Sequence, residues 1–169
     1  MKAQKVISLY DYTGEALKPW LELGYECHAF DIQHDGDTEI DGIHYHHADL
    51  HSFDTLMEII REHSDACLGL AFPVCTDLAV SGAAHFERKR SKDPRFQDKA
   101  CLYAKQCAWV FESIGCPYLV ENPISVLATL WRKPDHRFDP YEFGGYLNED
   151  EARHPRWPDY IPDRDAYPK

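Results

Sequence analysis

The residue in this chain best suited to nucleophilic chemistry is Cys75. It stands two positions after Pro73 in AFPVCTDLAVSG (71–82), where an apolar run gives way to small and polar residues. A thiol at a strand end can attack an electrophile as thiolate when a helix N-terminus or a cation lowers its pKa. Lys89, Arg132 and His136 are the candidate cations. The same pattern also fits a buried turn cysteine, since cysteine is among the most buried residue types, and both readings stand. Glu121 heads a second short motif, Glu121-Asn122-Pro123, at the end of another apolar run. A carboxylate at that edge of a sheet needs a partner, and a substrate contact through Glu121, Asn122 and Pro123 would supply one. Three aspartates close three further runs: Asp11, Asp31 and Asp49. Asp31 lies 20 residues beyond Asp11, at the end of the next strand, where a carboxylate can accept hydrogen bonds from both hydroxyls of a ribose. Asp49 could take the exocyclic amine of an adenine.

These residues must be held by something, and the apolar pattern says what. KVISLYDY, YECHAFDIQ, GIHYHHADL, DACLGLAF and CPYLVENP read as five short strands. Between them lie helical patterns. TGEALKPWLELG repeats Ala16, Leu17, Trp20, Leu21 and Leu23, tolerates Pro19 in its first turn and stops at Gly24. SFDTLMEIIREH puts Phe53, Leu56, Ile59 and Ile60 on one face behind Ser52 as N-cap. FQDKACLYAKQCAWVFESIG carries the longest stripe (Phe96, Ala100, Tyr103, Ala104, Cys107, Val110, Phe111) and ends at Gly115. ISVLATLW is a short last helix, and residues 73 to about 96 read as a long loop. The alternation predicts an α/β fold with a mostly parallel, doubly wound, Rossmann-like sheet. In such sheets ligands bind at the carboxyl ends of the strands, where Asp11, Asp31, Asp49, Pro73 to Cys75 and Glu121 to Pro123 all fall. Residues 1–131 are the expected core. Residues 132–169, rich in proline and aromatics, are an irregular arm expected on or near the active edge.

Composition bounds the function. A chain of 169 residues, 44% apolar and 13% aromatic, suits one globular domain. No apolar stretch reaches a membrane span and no signal-peptide pattern opens the chain, so a cytoplasmic protein is expected. Six cysteines without a C-x-x-C pair read as free thiols. The formal charge of −11 opposes non-specific attraction to nucleic-acid phosphates without excluding a local basic site. The basic runs ERKRSK (87–92) and WRKPDHR (131–137) read as solvated loops. Zinc sites need four converging ligands at recognisable spacing, so His34, His44, His46, His47 and His51 are expected on the surface and no metal is expected.

The order of an acidic–glycine turn, an acid ending strand two, an aspartate ending strand three and a proline turn ending strand four resembles class I S-adenosylmethionine-dependent methyltransferases. FPVCT together with ENP resembles the DNA cytosine-5 methyltransferases. The longer string, with ALKPW, DIQH, LAVSGA and ENPISVLATLWRKPDH, is similar to small methyltransferase-like proteins of phage and bacterial genomes. The resemblance implies S-adenosylmethionine held by Asp11, Tyr12, Thr13 and Gly14, by Asp31 with Ile32, by Asp49 with Leu50, and by Phe72 with Pro73. It implies Cys75 as nucleophile, Glu121 on the base, and Asn122, Pro123, Arg132 and His136 toward the substrate. It places the protein in a bacterial or phage-infected cell. DNA, single-stranded or with a flipped base, would be the partner, with a second protein supplying target recognition. The chain departs from the DNA enzymes in five respects: Gly14 is the lone glycine of the first turn, Val74 separates Pro73 from Cys75, no glutamine follows the cysteine, a target-recognition domain is missing, and residues 132–169 show no pattern for the two further strands of a full core. Those departures keep two rivals in view: a binding protein that has lost chemistry, and a methyltransferase acting on a free nucleotide or small molecule. An amino-methyltransferase fits less well, because FPVCT lacks the stacking aromatic of such loops.

Overall fold

The computed structural model describes residues 3–138 and residue 142. The chain divides into two units, Met1–Arg132 and Lys133–Lys169. Most of the expected arm, with its placement on the active edge, lies outside the described residues. In the first unit, six strands form one mixed sheet: β1 (Lys5–Leu9), β2 (Glu26–Asp31), β3 (Thr38–Ile40), β4 (Ile43–His47), β5 (Ala66–Ala71) and β6 (Tyr118–Val120), in the order β3-β4-β2-β1-β5-β6. All pairings are parallel except β3 with β4.

Side-chain alternation splits the core into two layers. Every residue of β1 is buried, as suits a central parallel strand. Val6 faces a cluster with Cys27, Ala29, Ile43 and Leu70, covered by the 3-10 turn Glu15–Leu17 and helix α1 (Lys18–Glu22). Ile7 and Leu9 face the other way, onto α2 (Phe53–Glu62) and α4 (Phe96–Ile114), through Leu56, Ile59, Cys107, Val110 and Phe111. Gly69 on β5 exists for this second layer: a Cβ there would lie closer than 3.0 Å to the Phe111 ring. Ser52 caps α2, its Oγ accepting from Thr55 N at 3.4 Å, and Gly115 closes α4 at φ 82°.

Four expectations change. β3 was not anticipated; it is wholly exposed and joins β4 through Asp41 (φ 51°) and Gly42 (φ 85°), the two left-handed residues of a primed hairpin turn. The loop expected over 73–96 contains a 3-10 segment, Val80–His85, and helix α3 (Phe86–Lys92), so ERKRSK is helical. Phe86 anchors it edge-on to Phe96, with ring centroids 5.8 Å apart. Phe53 is not on the buried face of α2; it is 62% exposed and stacks on Trp109. The last helix, α5, spans only Leu127–Leu130.

Candidate functional site at the carboxyl end of the sheet

The chain crosses from β1 outward to β2 and β4 on one side and returns to β5 and β6 on the other. The winding therefore reverses between β1 and β5, the point at which open α/β sheets form a ligand crevice. Tyr10 leaves β1 in a left-handed conformation, φ 57°, which costs a non-glycine residue about 1–2 kcal/mol. The strain turns the chain into the Asp11–Gly14 loop. Asp11 is buried, and both its oxygens are engaged: Ser8 Oγ donates to Oδ2 and Gly14 N donates to Oδ1, each at 2.8 Å. Asp11 therefore builds the loop rather than reaching out of it. Gly14, at φ 70°, also makes room, since a Cβ there would meet the Tyr45 ring. The Tyr45 hydroxyl donates to Thr13 O at 3.1 Å. Tyr12 is exposed and stacks on His34.

Asp31 closes β2 and is 6% exposed. Its Oδ1 accepts from Gln33 N at 2.8 Å and Gln33 Nε2 at 3.3 Å, and among the described residues Oδ2 has no hydrogen-bond partner. Asp49 is exposed, with Oδ1 accepting from His51 N at 3.0 Å. Ile32, Asp49, Leu50 and His51 line a small cavity of about 30 Å³ with Tyr10 and Ala48. The hydroxyl of Tyr10 is buried without a partner among the described residues, and burial pushes its pKa up, so it stays protonated. His51 stacks on Tyr103 at 3.8 Å. Tyr10, Tyr45 and His51 are the neighbours that sequence reasoning missed; nothing in their spacing marks them.

The loops after β5 and β6 run side by side. Phe72 N donates to Leu9 O at 3.0 Å and Glu121 N to Ala71 O at 2.9 Å, which extends the sheet by one step. Farther out, Val80 N donates to Ile124 O and Val126 N to Leu78 O, each at 3.1 Å, locking the two loops together. Leu78 is fully buried beneath them, packed with Ala100, Cys101, Ala104 and Leu127. Cys75 sits in this frame, half-buried; its carbonyl accepts from Leu78 N and Ala79 N at 2.8 Å. Pro73 is buried, while Phe72, Glu121 and Pro123 are exposed. Lys89 donates to Thr76 O at 3.3 Å and pairs with Asp77, so its charge is committed to holding the loop. Asn122 is the unusual member: both Oδ1 and Nδ2 are shielded from solvent and neither has a partner among the described residues. Arg132 is exposed at the end of the first unit, and His136 is exposed in the second.

A separate group lies under α2. His28 and His63 are each 7% exposed, and His46 is half-buried against them, not on the surface as expected. His28 Nδ1 lies 2.9 Å from His46 Nε2. Burial lowers the pKa of His28 to about 4 and of His63 to about 3, and also lowers that of His46, so all three rings are neutral at neutral pH.

No family model, characterised protein or solved structure matches the chain. Among the described residues no helix is long and apolar enough to cross a membrane.

Proposed function

We propose that the first unit is a Rossmann-like domain that binds S-adenosylmethionine and methylates a nucleic-acid base, cytosine in DNA being the favoured target. The observation that carries this reading is Asn122. A buried amide with its donor and acceptor both unsatisfied is rare in proteins, and here it lies in the loop after β6, locked against the Cys75 loop. One donor beside one acceptor is the complement of a base edge, which the loop would open to meet. The parallel-strand order about β1 and the acidic strand ends support the cofactor half.

The residues at the crevice fit an adenosyl group by their chemistry. Asp31 Oδ2 would accept from the ribose hydroxyls, Asp49 from an exocyclic amine, and the unpaired Tyr10 hydroxyl would donate. Ile32 and Leu50 would flank the ring. When bound, S-adenosylmethionine supplies an electrophilic methyl on its sulfonium. Cytosine C5 is too weak a nucleophile unaided, so Cys75 as thiolate would add to C6, forming the Sγ–C6 bond and moving the C5–C6 electron pair to C5. Glu121 and Asn122 would hold N3 and the exocyclic amine during that addition. The pair on C5 would form the C5–CH3 bond as the sulfonium's S–CH3 bond breaks, leaving S-adenosylhomocysteine; loss of the C5 proton to a base would then re-form C5=C6 and break Sγ–C6, releasing Cys75. The base must be flipped or single-stranded, because C6 is stacked inside a duplex.

The test is calorimetric titration of S-adenosylmethionine and S-adenosylhomocysteine into the full chain, with Asp31→Ala beside it. Saturable binding that Asp31→Ala abolishes is the expected result. Absence of binding at millimolar ligand would overturn the reading. A methyl-transfer screen on DNA, RNA and free cytidine nucleotides, with Cys75→Ser, then separates the substrates.

A second reading draws on Tyr45. Its ring packs against Gly14, at the turn where a cofactor would need the backbone. A binding protein that keeps the nucleoside pocket without the chemistry accommodates that contact, and predicts that Cys75→Ser leaves biological effect intact.

A further inference from the structure

We propose that His28, His46 and His63 form a Zn²⁺ site, with water as the fourth ligand, that ties the C-terminal end of α2 to β2 and β4. Their ligating nitrogens all lie within 4.8 Å of one another. Tetrahedral zinc with Zn–N bonds of about 2.0–2.1 Å sets its ligand nitrogens about 3.3 Å apart. The group therefore converges by side-chain adjustments of an ångström or so, without refolding the sheet. Three imidazoles from two strands and a helix cap meet here although no sequence spacing relates them.

Four independent features point to a cation. His63 Nδ1 is buried and has no hydrogen-bond partner among the described residues, a lone nitrogen left over by the protein itself. The distal nitrogens of the other two rings face carboxylates, as metal-bound histidines commonly do, which fixes the ring and its tautomer. His28 Nε2 lies 2.9 Å from Glu26 Oε1, and His46 Nδ1 lies 3.6 Å from Asp37 Oδ2. His63 is the C-cap of α2, so the negative end of the helix dipole faces the site. Finally, Lys5, buried nearby, is already compensated by Asp65 at 2.8 Å and Glu26 at 4.0 Å, so it does not oppose a further cation.

The proton inventory also closes. With His28 Nε2–H donating to Glu26, its Nδ1 is a lone pair that accepts from His46 Nε2–H. Zinc would replace that shared hydrogen. The proton on His46 moves to Nδ1, toward Asp37, and both facing nitrogens then offer lone pairs. His44 stacks on His28 with centroids 4.8 Å apart and pairs with Glu39, which packs the outer side of the site.

The test is titration of Zn²⁺ alone into the full-length, metal-stripped protein by calorimetry, with Co²⁺ as a spectroscopic substitute. The expected result is one saturable site, a rise in melting temperature on loading, and a tetrahedral Co²⁺ spectrum without a thiolate charge-transfer band. His46→Gln, a half-exposed position that leaves the core intact, should abolish the site. Glu26→Gln should weaken it about 10- to 100-fold. His47→Gln, one residue along and exposed, should bind as the parent does. Absence of saturable binding, binding undiminished in His46→Gln, or a sulfur-ligated Co²⁺ spectrum would each overturn the proposal.

Discussion

Replacing Asn122 by leucine should make the protein more stable and its site inert. The amide's two polar atoms are out of water and unpartnered, and each such group costs a fold about 1–3 kcal/mol. Leucine keeps the four-atom branched skeleton, is somewhat bulkier, and has nothing to satisfy. Because the residue is only half-buried overall, part of the gain is lost to exposure of the new side chain, leaving a net stabilisation of about 1–3 kcal/mol. For a chain of this size that is a rise in melting temperature of about 2–4 °C per kcal/mol. Thermal and urea unfolding of Asn122→Leu against the parent measure it. Asn122→Asp serves as the opposite control, since it buries a carboxylate and should destabilise. The same leucine variant should lose base-dependent methyl transfer while keeping S-adenosylmethionine binding. If Asn122→Leu instead costs about 1 kcal/mol or more, the amide is satisfied within the fold, and the reasoning that reserves it for a ligand fails.

Gly69→Ala should destabilise by about 3 kcal/mol, the upper end of overpacking costs, because its methyl would collide with the buried Phe111 ring. A double-mutant cycle with Phe111→Leu should recover part of that loss, and strict additivity would count against the contact. Acidification should weaken the metal-free protein in a defined window. The unfolded chain takes up protons near pH 6.5 that folded His28 refuses until about pH 4 and folded His63 until about pH 3. Stability is therefore full above 6.5 and falls below it, by about 1.4 kcal/mol per pH unit for each ring. Urea midpoints at about pH 7, 6 and 5 read this directly, and a flat profile would contradict the burial. Under native conditions iodoacetamide should label half-buried Cys75 well before Cys107, whose thiol burial pushes up to about 12; equal rates would mean the Cys107 core is open.

The elements that bury a continuous apolar stripe were legible in the sequence. Helix α4 runs over Phe96–Ile114 as its stripe and Gly115 predict, and Ser52 caps α2 as expected. β1 and β5 were legible because a strand buried on both faces is a nearly unbroken apolar run. β3 was not, because Thr38–Ile40 is exposed on every residue and its only signal is the Asp41-Gly42 turn that follows. Helix α3 was hidden for a similar reason: FERKRSK offers one anchoring ring, Phe86, and no stripe. At the site, the positions of Asp31, Asp49, Cys75 and Asn122 at strand ends were readable, but their satisfaction was not. That Asp11 spends both oxygens on Ser8 and Gly14, while Asn122 spends neither polar atom, depends on loop geometry that residue types do not encode. His63 could not be grouped with His28 and His46, because a helix of 10 residues separates the cap from the strands it returns to.

The division of labour within the sheet determines how well the chemistry can be tested. The two main clusters are built on β1, β2, β4 and β5 with α1, α2 and α4, and neither contains Cys75 or Asn122. The loops that carry those residues rest on a third cluster, where Leu78 and Leu127 meet Ala100, Cys101 and Ala104. Ala71 before Cys75 and Leu78 after it are fixed by burial, so the segment between them is clamped at both ends by residues that do no chemistry. A serine at position 75 changes one half-buried sulfur to oxygen without disturbing either clamp. Loss of activity in Cys75→Ser would therefore report on the thiol, whereas loss in Leu78→Ala would report on the frame. Loss in the second variant alone would assign Cys75 to the turn.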